Sequence, residues 1–79
     1  MVSRADGWAY SSTYDGEDKG CGDLLLGLRH HFLALPPGAR VCIMATNAAA
    51  PSEVAIWCRL AGHTLLDSDA PFYLVEKRS

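Results

Sequence analysis

The sequence predicts a two-layer α/β sandwich of order β-α-β-α-β-β, with two helices on one face of a four-stranded mixed sheet. Three observations predict it. Leu24, Leu25, Leu28, Phe32 and Leu35 recur at helical spacing and are closed off by Pro36-Pro37-Gly38. The apolar stretch Arg40-Val-Cys-Ile-Met-Ala-Thr46 reads as a central strand. At the end of the chain, His63–Asp67 and Phe72–Glu76 read as two strands joined by a turn around Ser68-Asp69-Ala70-Pro71.

Each element has a local reason. From Trp8 to Tyr14 the chain alternates, with Trp8, Tyr10, Ser12 and Tyr14 on one face of a first strand. Asp15 to Gly20 is an acidic, glycine-rich loop. The first helix runs from about Gly22 to Leu35, and Leu26 and Leu33 lie off its apolar stripe, facing a partner or the flank. It stops at the two prolines, which lack a donor and disfavour helix in the residue before them. The second helix starts near Pro51, with Ser52 and Glu53 polar in its first turn. Val54, Trp57, Cys58 and Ala61 share its core face, and Gly62 is a natural C-terminal stop. With both helices on one side, the other sheet face is expected to be open, and an apolar patch there would need a partner.

The 79 residues fit one domain, residues 8–79, after a flexible terminus over 1–7. Net charge is −2 and no dense Lys/Arg cluster is present, which argues against direct nucleic-acid binding. Met1 to Gly7 lacks the apolar core of a signal peptide, and no apolar run is long enough to span a bilayer. Three cysteines without regular spacing do not make a disulfide framework, so a reducing cytoplasm is the expected compartment.

Cys21 is the residue with most chemical promise. It lies between the acidic loop and the first helix, where free backbone N–H groups and the helix dipole favour a thiolate. Lys19 and Arg29 add to that tendency, whereas Glu17, Asp18 and Asp23 oppose it. Asp23 has a second option, capping the helix and competing for the same donors. The sign of the pKa shift therefore stays open. Cys42 alternates within an apolar strand and Cys58 falls on a core face, so both read as small buried hydrophobes. His30 and His31 are adjacent, point about a third of a turn apart on a helix, and make a poor chelate. Neither Cys-x-x-Cys nor His-x-x-x-His occurs, and no metal is expected. Arg29 and His30 could instead contribute to a docking face. Trp57 reads as core, and Gly20-x-Gly22 lacks the lysine and hydroxyl ending of a phosphate loop.

From about Tyr14 onward the chain resembles the TusA-like (SirA-like) family of small sulfur carriers. That family's signature is Asp-x-x-Gly-x-x-Cys-Pro-x-Pro followed by an apolar helix. Here Asp15 stands six residues before Cys21. Arg29 falls where the family often has Lys or Arg. Leu35-Pro36-Pro37-Gly38, Ala45-Thr46-Asn47-Ala48-Ala49, Ile56-Trp57-Cys58-Arg59, Gly62-His63-Thr64-Leu65-Leu66 and Tyr73-Leu74-Val75-Glu76-Lys77 resemble later family segments in order and spacing. The departures are at the cysteine: Cys21-Gly22-Asp23-Leu24 lacks both prolines, Asp18 replaces the glycine, and the last two strands are joined by the short Asp67-Ser68-Asp69-Ala70.

The resemblance implies a cytoplasmic carrier that forms a persulfide on Cys21, with Asp15, Lys19, Gly22 and Asp23 shaping the loop around the thiol. Its implied partners are a protein sulfur donor of desulfurase or rhodanese type and a protein acceptor. Neither cofactor nor metal is implied. Loss of both prolines favours an alternative, a non-catalytic protein-interaction module that keeps the fold.

Overall fold

The computed structural model describes residues 7–78, with Cys21 described by its backbone alone. Apart from Gly7, the expected flexible terminus lies outside the described residues, as does Ser79. The elements are β1 (Ser12–Asp15), α1 (Cys21–Leu33), β2 (Arg40–Met44), α2 (Ala50–Ala61), β3 (Thr64–Asp69) and β4 (Phe72–Glu76). This is the two-layer sandwich the sequence predicts. The sheet order is β1-β2-β4-β3, with β1 parallel to β2 and β4 antiparallel to both of its neighbours.

The core forms where the apolar stripes of both helices meet one face of the two inner strands. Leu24, Leu28 and Phe32 of α1 and Val54, Trp57 and Cys58 of α2 pack with Val41, Ile43, Tyr73 and Val75. Burial of this kind contributes about 1.5–3 kcal/mol for each large apolar side chain. Leu26 and Leu33, off the stripe of α1, are exposed. Gly62 ends α2 in the left-handed conformation at φ 82°, and the His63 N–H reaches back to the Cys58 carbonyl at 2.9 Å. Among the described residues no helix is long and apolar enough to cross a membrane.

Four expectations need correction. The first strand does not begin at Trp8. β2 starts only at Arg40, and the backbone ahead of it is engaged elsewhere, Gly38 N–H with the Lys77 carbonyl, Ala39 N–H with the Pro36 carbonyl and the Ala39 carbonyl with Lys77 N–H; Ser11 N–H makes the outermost bond, to the Arg40 carbonyl at 3.0 Å. β2 ends at Met44 rather than Thr46. Ala45 still donates in register to the Pro71 carbonyl at 2.9 Å, but proline has no N–H to return the bond, and Thr46 donates instead to the Glu17 carbonyl at 2.8 Å. β3 begins at Thr64 and extends to Asp69, paired with Phe72, which shortens the turn to Ala70-Pro71. A register shift between Leu65 and Asp67 turns Leu66 outward.

The fourth correction concerns the face without helices. Thr13, Cys42, Leu74 and Asp67 form one row across that face. Cys42 and Leu74 are nevertheless buried, so the two inner strands are covered on both sides. The Trp8 side chain contributes to this face: its indole N–H donates to the Asp67 carboxylate at 3.1 Å, at the far edge of the sheet from β1. Trp8 is therefore not a strand residue in line with Ser12 and Tyr14, which lie against α1 through His31.

Candidate functional site

The β1–α1 and β2–α2 loops both leave the carboxyl ends of parallel strands, the edge at which α/β folds commonly place their chemistry. They are tied together mainly through backbone atoms. Gly16 N–H donates to the Met44 carbonyl at 2.7 Å. The Glu17 carbonyl accepts from both the backbone N–H and the hydroxyl of Thr46, at 2.8 and 3.0 Å. Asn47 Nδ2 donates to the Asp18 carbonyl at 3.3 Å. Asp15 Oδ1 accepts the Glu17 N–H at 3.0 Å, and Lys19 N–H closes the turn on the Gly16 carbonyl at 3.1 Å.

Two positions in this loop have unusual requirements. Glu17 holds φ 52°, a left-handed conformation that costs a non-glycine residue about 1–2 kcal/mol. The paired bonds from Thr46 to its carbonyl offset that cost. Gly16 is glycine for space: a Cβ there would lie 2.7 Å from Leu24 Cδ1 and 2.9 Å from the Met44 carbonyl oxygen.

Cys21 is the first residue of α1, one position earlier than the sequence suggests, and its thiol lies outside the described residues. Gly20 takes the capping position in an extended conformation and supplies no side-chain acceptor. Asp23 stands exposed in the first turn, and Lys19 is exposed on the loop. Gly22 is also exposed, and a Cβ built there meets nothing within 4 Å. The structure thus gathers Asp15, Lys19, Gly22 and Asp23 at the end of α1 that carries Cys21. Arg29 and His30 belong to its other end. Arg29 is about 12 Å along the helix axis from Cys21, and it lines a separate cavity of about 460 Å³. His30 is exposed. His31 is half-buried, with Nε2 2.7 Å from Ser12 Oγ and its ring against Tyr14.

Cys42 and Cys58 are free and buried. Burial raises both thiol pKa values, that of Cys58 to about 11, so both stay protonated and unreactive at neutral pH. Among the described residues no group of three or more His, Cys, Asp or Glu side chains is placed to hold a metal ion.

Thr46 and Asn47 carry more of the loop than the sequence reading gives them. Asn47 also accepts the Ala49 N–H through its own Oδ1 at 2.9 Å. The signal was present, since Thr and Asn between a strand and a helix are turn-forming residues that bond to nearby backbone. Glu53, in the first turn of α2, has one buried carboxylate oxygen with no hydrogen-bond partner among the described residues. Comparison with protein-family models gives no match, and comparison with curated proteins gives none either.

Proposed function

We propose that this protein is a small sulfur carrier that forms a persulfide on Cys21 and relays the sulfur to a protein acceptor. The observation that carries the reading is the position of Cys21. It opens α1, directly after a loop held by backbone bonds at the carboxyl ends of two parallel strands. Helix-terminal N–H groups favour the anionic form of sulfur at such a position. The other two cysteines are buried thiols and do not compete for the role.

The chemistry is an exchange without net oxidation. The Cys21 thiolate attacks the outer sulfur of a donor persulfide; a new S–S bond forms, the donor's S–S bond breaks, and the donor leaves as a thiolate. An acceptor nucleophile later takes the outer sulfur in the same manner and regenerates the Cys21 thiolate. Neither step needs a metal, a general base or an enclosed pocket.

The alternative, a protein-interaction module without sulfur chemistry, is favoured by one observation. With glycine at position 22 the start of α1 is not stiffened by proline. Intact-protein mass separates the two readings. The protein and its Cys21→Ser variant are incubated with a cysteine desulfurase and cysteine, without reductant. One added sulfur on the wild type alone supports the carrier. No added sulfur from several donors overturns it and favours the module.

A further inference from the structure

Three aromatic rings, two from the helices and one from the residue just before β3, close on one another at the far end of α1. The ring centroids of Phe32 and Trp57 are 5.0 Å apart, those of Phe32 and His63 4.8 Å, and those of Trp57 and His63 5.0 Å. These rings wall the cavity of about 460 Å³. Arg29, Lys77 and Arg78 complete its charged lining, and among the described residues no carboxylate lines it. Among the described residues neither Arg29 nor Arg78 forms an ion pair; the pair present, Arg40 with Glu76 at 3.2 Å, lies on the sheet. The arginine charges are therefore available to a ligand.

The carboxyl ends of both helices point toward this region and would by themselves repel an anion. That repulsion is answered locally. The N–H groups of Gly62 and His63 both reach the Cys58 carbonyl, and Lys77 Nζ donates to the Leu35 carbonyl beyond the end of α1. His63 Nδ1 accepts the Arg78 N–H at 3.1 Å, which leaves Nε2 as the nitrogen of the neutral ring that carries hydrogen. Burial, then the charges of Arg78 and Lys77, lower the His63 pKa, so the ring is a neutral donor in a positive setting. At the rim Leu33 and Leu60 are 68% and 81% exposed, which extends the apolar wall outward.

We infer that this cavity binds a small organic anion with a flat apolar body, of the arylcarboxylate class. Its volume falls in the range of small-molecule sites, about 300–1,000 Å³. Leu33, Leu60 and the half-buried His63 receive the flat body, with the buried Phe32 and Trp57 rings behind them, and Arg29 and Arg78 bind the carboxylate. A concave site of this size favours a small molecule over an extended protein surface. Nothing in the inference depends on sulfur transfer at Cys21.

Titration of the full chain with 2-naphthoate, followed by amide ¹H–¹⁵N shifts, tests it. The expected shifts are saturable and centre on Leu33, Ala61, His63 and Arg78. Neutral 2-naphthylmethanol should bind at least about tenfold more weakly. Arg78→Glu and Arg29→Gln should each weaken naphthoate binding by a similar factor while the spectrum keeps its native dispersion. Cys21→Ser should bind as the wild type does, which separates this inference from the carrier reading. No shift at millimolar naphthoate, equal binding of the alcohol, or shifts centred elsewhere would overturn it. So would an acidic, leucine-bearing peptide that occupies the cavity when naphthoate does not, and the site would then be one for a protein partner.

Discussion

Replacing Gly27 by alanine sets two effects of known sign against each other. Gly27 lies in the middle of α1, where alanine is favoured over glycine by about 1 kcal/mol. Against this, a Cβ on Gly27 would lie 1.9 Å from the Tyr14 hydroxyl oxygen and 3.0 Å from Tyr14 Cζ. The phenol cannot simply swing aside. Its ring rests against His31 at 5.4 Å between centroids, and His31 is fixed by its 2.7 Å contact with Ser12 Oγ. Overpacking of this kind costs about 1–3 kcal/mol, and a 1.9 Å approach places the cost toward the upper half of that range. The expected net loss is about 1–2 kcal/mol. At roughly 4–8 °C per kcal/mol for a domain of this size, Tm should fall clearly. The double mutant supplies the control. With Tyr14→Leu the obstructing ring is gone, and Gly27→Ala should then raise stability. Urea unfolding of the four proteins gives the coupling, expected at about 2–3 kcal/mol. A Gly27→Ala single mutant more stable than wild type would refute the reasoning, since Tyr14 would then have yielded at no cost.

Three further outcomes follow from the same geometry. Gly22→Ala should stabilise by about 0.5–1 kcal/mol, because a Cβ there meets open space in a helical turn; a loss on thermal unfolding would show that the backbone at 22 is not helical. Alkylation of the native protein followed by peptide mass mapping should label Cys21 well ahead of Cys42 and Cys58, which are 8% and 3% exposed, and all should react in denaturant. Early labelling of Cys58 would contradict its burial. The lowered pKa of His63 predicts that stability falls as pH drops below its ordinary value of 6.5. There the unfolded chain binds a proton that the folded ring resists, and the loss continues until the folded ring itself titrates. His63→Asn should remove that slope, and an unchanged slope in chemical unfolding from pH 7.5 to 5 would assign it to another group.

The element order and the core faces were legible in the sequence because they rest on periodicity. Leu24, Leu28 and Phe32, then Val54, Trp57 and Cys58, are buried as their spacing requires. Strand ends were less legible, because they depend on which partner lies alongside. Trp8 to Ser11 alternate like a strand, yet β2 begins only opposite Ser11–Ser12, and Trp8 instead bonds across the sheet to Asp67. Of the candidate site, the position of Cys21 and the acidic loop could be read directly. The contribution of Thr46 and Asn47 could not, because it arises from two loops meeting across a separation of 29 residues. The aromatic and cationic cavity was illegible for the same reason: Phe32, then Trp57 and His63, then Arg78 come from three separate stretches of chain.

The one-residue difference in where α1 begins bears directly on what glycine at 22 does to the thiol. A proline at 22 would disfavour helical angles at the residue before it and would push Cys21 into the extended, capping position. With Gly22 there is no such restriction. Helix starts at Cys21 itself, and Gly20 becomes the cap, bonded through its carbonyl to the Leu24 N–H at 2.8 Å. The Cys21 backbone thereby belongs to the first helical turn rather than to the capping position before it. What would otherwise be fixed by a proline ring is fixed here from the other side, by Gly16, Glu17 and Asp18 bonded to Met44, Thr46 and Asn47. The loop that leads into Cys21 is therefore tied to the β2–α2 loop, with no proline after the cysteine to restrict the helix start.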